Sequence, residues 1–206
     1  VVYDPVAENI AKGWKSSGNN TTGMSTKIPM STVMKFLKEF GPVKRLAVLY
    51  TPAERNSVAQ LKELQAVEAE TGIKMVPVPM ANKEEVEELL PEVVHTTDAI
   101  YLSGSSIVSV KASVIVEAAN LAKVITVTHL DDLVEKGALL GLCIDSYRLG
   151  MQAGEKAVRI LKGESPSSIP IGSPRQADVV VNMKSARSGE FRISDDFMKK
   201  VTKIVQ

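Results

Sequence analysis

Hydroxyls, amides, carboxylates and one imidazole recur in this sequence where a short apolar run ends. The run VKRLAVLY (43–50) leads into Thr51, Asn56 and Ser57, and DAIYLS (98–103) ends on Ser103 and continues to Ser105 and Ser106. VITVTHL (124–130) carries His129, and ALLGLCID (138–145) ends on Asp145. Gathered at one edge, such groups suit a small polar solute. Hydroxyls and helix-start amides near Ser57 and Ser105 would donate to a carboxylate, and Asp145 or Asp4 would accept from an ammonium group. The fifth run, IKMVPVPM (73–80), is followed by the blander Ala81 and Asn82.

Each of these residues also has a local reading. Asn56 with Ser57, and Ser105 with Ser106, are the residue types that cap helix N-termini, and Asp145 would do the same for the segment after it. His129 reads equally well as a loop histidine, Asp4 before Pro5 as a strand-end turn, and His95 as a structural or solvated helix-end residue. The acidic run NKEEVEELLPE reads as a solvated helix face.

Catalytic templates find little support. The chain has no Walker-type glycine loop, no dinucleotide glycine spacing, no serine elbow between glycines and no histidine pair at metal-ligand spacing. Two histidines and one cysteine leave little for a catalytic triad; Ser105, His129 and Asp132 could share the edge, but nothing in their spacing fixes a geometry. No catalytic residue, cofactor or metal is therefore expected. Cys143 sits in an apolar run and reads as a buried, inert thiol.

The elements that must position these residues follow from periodicity. Between 43 and 145, β-branched apolar runs alternate with longer helical segments, the signature of a parallel sheet with helices on both faces. This predicts a doubly wound α/β domain. Val58, Leu61, Leu64 and Val67, three residues apart, predict a helix that stops at Gly72. RLGMQAGEKAVRILKG predicts another, with Leu149, Ala153, Ala157 and Ile160 or Leu161 on one face. Outside the alternation, VVYDPVAENIAKGW reads as a strand end and a helix, SSGNNTTGMST as a link, MSTVMKFLKEFG as a helix, ADVVVNM as a strand, and SDDFMKKVTKIV as a Ser/Asp-capped amphipathic segment.

Composition narrows the function classes. The 206 residues are 44% hydrophobic and 24% charged, enough apolar content for a substantial core. Lys and Arg number 25 against 24 Asp and Glu, so no charge excess draws the chain to nucleic acid or an anionic membrane. No apolar stretch reaches the roughly 20 residues that span a bilayer. The opening VVYDP reads as the end of a core strand, with the expectation that further residues precede it.

The strings YTPAERNSVAQLKEL, TDAIYLSGSS, EAANLAK, EKGALLGLCIDSYRLGMQAGEKAVRILKGESPSSIP and VVVNMKSA, together with VVYDPV and NNTTGMS, resemble the substrate-binding proteins of ABC transporters, in the group that includes tryptophan and tyrosine binders. The resemblance covers essentially the whole chain. It implies a periplasmic-binding-protein fold of the first type: two α/β lobes, three crossovers, and a small solute clasped between them. It also implies residues ahead of this chain that form most of the first lobe, with an export signal that is often a lipoprotein one. Residues 1–29 would close the first lobe and supply the hinge, 30–163 would form a complete second lobe, and 164–206 would return to the first. Asp4 and Thr22 would line the cleft from the first-lobe and hinge side, Asn56 and Ser57 from the first helix start of the second lobe, and Asp145 from the end of its last strand. Thr51 stands where the family often has Asn, Ser105 and Ser106 where it often has Asp-Asn, and Glu8 and Asn9 where small residues are typical; these departures leave the solute open.

The expected function is that of a non-enzymatic receptor for an amino acid or related compound, with an ABC permease as membrane partner and a periplasmic or extracellular location, membrane-anchored where the implied leader is a lipoprotein one. The alternative is the effector-binding core of a transcription regulator with the same two-lobe fold, which a DNA-binding module upstream would reveal. A flavodoxin-like enzyme using His129 is the third reading.

Overall fold

The structure, a computed structural model, describes residues 2–174 and 176–206. Strands β1 (Arg45–Tyr50), β2 (Lys74–Pro79), β3 (Ala99–Leu102), β4 (Ile125–Thr128) and β5 (Leu140–Cys143) fall on the five apolar runs. They are joined by α2 (Arg55–Ala66) with the short α3 (Glu68–Thr71), α4 (Glu84–Thr96), α5 (Ser106–Leu121) and α6 (Asp131–Glu135), and preceded by α1 (Met30–Phe40). Downstream lie α7 (Ser146–Leu161), a 3-10 turn at Pro166–Ser168, β6 (Asp178–Asn182), α8 (Met183–Ser188), α9 (Asp195–Met198) and β7 (Lys203–Val205).

The strands form one seven-stranded sheet in the order β2-β1-β3-β4-β5-β6-β7. Every pairing is parallel except β5 with β6, where Leu140 faces Val181 and Cys143 faces Asp178. Strands β3, β4 and β5 are buried at every residue. That pattern requires helices on both faces, because a solvated face would alternate. On one face Ala47, Leu49, Ile100 and Leu102 pack in a common core with residues of α4 and α5 such as Leu90, Val108 and Ile115. The intervening Val48 and Tyr101 are register partners on the other face, where Tyr101 Oη donates to Met30 Sδ of α1 at 3.6 Å. The fold is thus the expected doubly wound α/β sheet.

By its contacts the chain divides into two units, Pro29–Cys143 with Asp178–Gln206, and Val1–Ile28 with Ile144–Ala177. The boundary expected at 163 does not follow these contacts. Strand β6 hydrogen-bonds to β5, so 178–206 complete the sheet, while α7, expected inside the second lobe, groups with the N-terminal segment. A strand reads alike whichever sheet it joins, and this pairing spans an excursion of 34 residues between Cys143 and Asp178.

Two local expectations also shift. Helix α2 buries Ser57, Gln60, Leu61 and Leu64, the i, i+3, i+4, i+7 face. Val58 and Val67 do not join it, since steps of three drift around a helix with 3.6 residues per turn. Gly72 ends the segment in the left-handed conformation, φ 68°, as expected. The helix expected near residue 6 is instead a run of turns, with the amides of Glu8 and Ile10 donating to the carbonyls of Asp4 and Pro5. In that unit α7 buries no side chain completely; Tyr147, Met151, Val158 and Leu161 form an exposed apolar row at spacings of four, seven and three.

Candidate functional site

The carboxyl ends of β1 and β3 are adjacent in the sheet, and the loops after them are tied into one polar corner. Thr51, the residue after β1, donates its amide to Ser57 Oγ at 3.1 Å, and Ser57 Oγ donates back to the Thr51 carbonyl at 2.9 Å. This folds the 51–57 loop onto the first turn of α2. Thr51 Oγ1 then meets Ser105 Oγ at 2.6 Å, joining the first loop to the second. Ser105 is the N-cap of α5 and accepts from the amides of Ile107 and Val108 at 3.2 and 3.3 Å. With both lone pairs engaged, Ser105 must donate its proton to Thr51.

Three further side chains close the corner. Asn56 Nδ2 donates to the Gly104 carbonyl at 2.7 Å, and the Gly104 amide donates to Gln60 Oε1 at 2.9 Å. A Cβ at Gly104 would lie 3.1 Å from Gln60 Nε2 and 3.2 Å from Asn56 Nδ2, so the bare backbone permits this approach. Glu54 reaches across from the first loop, and its two carboxylate oxygens accept from the Ser106 amide at 3.1 and 2.9 Å. Beside this corner lies a depression of about 390 Å3, lined by Gly104, Ser105, Ser106, Ser109, Leu130 and Asp132 among others.

The structure therefore gathers Thr51, Asn56, Ser57, Ser105 and Ser106. Ser105 is a cap, as its residue type suggests, whereas Asn56 and Ser57 lie inside α2, whose cap position is Glu54. Ser103 is fully buried next to the corner, and its Oγ has no hydrogen-bond partner among the described residues.

His129 is placed in the interior. It is 2% exposed, its Nδ1 lies 2.7 Å from Tyr101 Oη, and the two rings are parallel with centroids 6.0 Å apart. Burial lowers its pKa to about 4, so the imidazole is neutral at physiological pH. Burial also holds the Tyr101 hydroxyl well above its usual value, so Tyr101 stays protonated, and the donor across its contact with Nδ1 is set by the tautomer of His129. The pair supports the strand ends from behind the rim. Thr128 does the same through its backbone contacts: its Oγ1 donates to the Leu102 carbonyl at 3.0 Å and accepts from the Leu130 amide at 3.2 Å.

Asp4, Thr22 and Asp145 belong to the other unit, and each has a local role there. Asp4 Oδ1 accepts from the amides of Val6 and Ala7, both at 3.0 Å, and Oδ2 pairs with Lys27 Nζ at 2.6 Å. Burial alone would raise its pKa; Lys27 and the two amides outweigh that and hold it below the usual carboxylate range. Thr22 Oγ1 donates to the Ile169 carbonyl at 2.8 Å. Asp145 caps α7, accepting from the Arg148 amide at 3.0 Å, and lines a groove of about 530 Å3 with Arg148, Gln152 and Glu155.

Sequence reasoning missed Glu54, Gln60, Gly104 and Tyr101. Gln60 had a signal, because a polar residue four positions after Asn56 on a helix shares its face. Glu54 and Tyr101 had none, since their partners lie 52 and 28 residues away.

The fold agrees with comparison to known proteins. The chain belongs to the family of ABC transporter substrate-binding proteins, which it matches over residues 1–205. The tyrosine-binding protein of Clostridioides difficile (strain R20291) is 24% identical over 200 residues, covering 96% of this chain and 58% of that protein. The chain thus spans little more than half the length of that relative. Among solved structures, a conserved domain protein from Vibrio cholerae superposes with a TM-score of 0.89 at 28% identity, over 98% of this chain and 69% of its own. The ABC domain in complex with L-Trp from Streptococcus pneumonia superposes with a TM-score of 0.87 at 25% identity, over 100% of this chain and 72% of its own.

Proposed function

We propose that this protein is the solute receptor of an ABC importer. It captures an amino acid or related compound at the polar corner of β1 and β3, and closure of its lobes on the solute presents a form that a membrane permease reads. The observation that carries this reading is the junction of Thr51, Ser57 and Ser105, in which two strand-end loops are locked into one hydrogen-bonded rim on a substrate-binding-protein fold. A rim fixed before binding costs little entropy when a solute arrives. One similar protein is named for tyrosine binding and another holds L-Trp, so aromatic amino acids are the first solutes to try. Asp4, Thr22, Asn56, Ser103, Ser106, His129 and Asp145 remain part of the proposed binding apparatus, His129 and Ser103 as buried supports.

The proposed location is periplasmic or extracellular; among the described residues no helix is long and apolar enough to cross a membrane. Thermal unfolding and calorimetry of the full-length protein against an amino-acid panel test the proposal. A true solute at a hundred times its Kd should add about 2.7 kcal/mol of stability. A panel in which no compound raises the unfolding temperature would refute it.

A further inference from the structure

We propose that Glu54 sets the charge preference of this rim, so that the corner of β1 and β3 takes the ammonium end of the solute and turns away its carboxylate. This rests on the receptor reading above and adds an orientation to it. The start of α5 would ordinarily be the anion site of the corner, since the first amides of a helix lack partners and carry the positive end of its dipole. Here those amides are filled from within. Ser105 Oγ takes the amides of Ile107 and Val108, and the Glu54 carboxylate takes that of Ser106.

A solute carboxylate at this point would have to displace a bound carboxylate and sit beside its negative charge. A cation meets the opposite situation. A carboxylate offers about four lone-pair sites, and the single Ser106 proton leaves acceptor capacity facing outward, because Glu54 is only half-buried. Asp132, which lines the adjoining depression, adds a second negative group. Lys136, which bonds two residues of that lining, is turned onto the carbonyl and hydroxyl of Ser109, at 3.1 and 2.7 Å, and onto Asp132 at 3.5 Å.

The test is a calorimetric comparison on the full-length protein. The probes are L-tyrosine, tyramine and 3-(4-hydroxyphenyl)propionate, with L-tryptophan, tryptamine and indole-3-propionate as the second series. The amine, which keeps only the positive group, should bind within about tenfold of the amino acid, and the acid at least about a hundredfold more weakly. Glu54→Gln keeps an oxygen for the Ser106 amide while removing the charge. It should weaken the amino acid and the amine by about tenfold and leave the acid unchanged or tighter. Equal weakening of all three probes would mean that Glu54 acts only on structure, and overturns the proposal.

Should Glu54→Gln fail to fold, Ser106→Pro tests the charge from the other side, because proline is tolerated at the first position of a helix and removes the amide donor and the Ser106 hydroxyl while keeping the Glu54 carboxylate. The amine preference should survive in that variant, and its loss overturns the proposal. If wild type binds the amino acids but takes the acids as well as the amines, the charge assignment falls and the receptor reading stands. If no probe binds wild type, the charge assignment falls for these solutes, and the receptor reading is decided by the amino-acid panel.

Discussion

Truncating Ser105 to alanine removes two interactions at once, and the structure sets the size of each. The first is the N-cap of α5, whose loss typically costs about 1 kcal/mol. The second is the 2.6 Å contact with Thr51 Oγ1, buried at both ends. Leaving a buried hydroxyl without its partner costs about 1–2 kcal/mol more. The expected total is about 2–3 kcal/mol, which at a urea m-value of about 2–3 kcal/mol/M lowers the denaturation midpoint by about 1 M. Ser105→Gly separates the parts, because glycine at an N-cap costs only a few tenths of a kcal/mol; it should keep most of the loss that comes from Thr51. A double-mutant cycle with Thr51→Val should return a coupling near 1 kcal/mol. A coupling below about 0.3 kcal/mol, or a midpoint for Ser105→Ala indistinguishable from wild type, would refute the claim that these hydroxyls hold the two loops together.

Burial lowers the His129 pKa from about 6.5 to about 4, so the unfolded chain binds a proton that the folded one refuses. Stability should be full above pH 6.5 and fall by up to about 3 kcal/mol as pH drops toward 4; denaturation curves across that range check this, and an equal slope in His129→Gln would contradict it. Gly104→Ala should destabilise by about 1–2 kcal/mol, because its Cβ crowds Gln60 and Asn56; an unchanged melting temperature would show that the corner yields freely. Hydrogen exchange should run faster along α7, which buries no side chain fully, than along α5, which buries six. Equal protection of the two helices would count against that ranking.

The alternation of apolar runs and helices was enough to locate five strands and the helices between them, since strand and helix periods are local properties of the chain. The polar ends of those strands were legible for the same reason. Partner choice was not. The string ADVVVN is plainly a strand, but its antiparallel seat beside β5 depends on a contact across the 144–177 excursion. His129 looks in sequence like any loop histidine, and only the placement of β3 beside β4 shows that Tyr101 stacks on it and meets its Nδ1. Asp4 and Asp145 were read both as cleft residues and as turn or cap residues, and the hydrogen bonds give each the local role. Glu54 was visible in the loop after β1, but its significance lies in an amide 52 residues away.

The antiparallel pairing of Cys143 with Asp178 bears on how the chain could be shortened. Directly opposed residues in such a ladder lie about 5 Å apart, so the excursion leaves and re-enters the sheet through a gap that a tight two-residue reverse turn can bridge. Residues 29–143 spliced through such a turn to 178–206 would convert a long-range closure into a hairpin, with lower contact order and quicker assembly. Cooperative melting of that minimal chain would show that the seven-stranded sheet is an autonomous folding unit; a non-cooperative melt would show that it depends on the excursion.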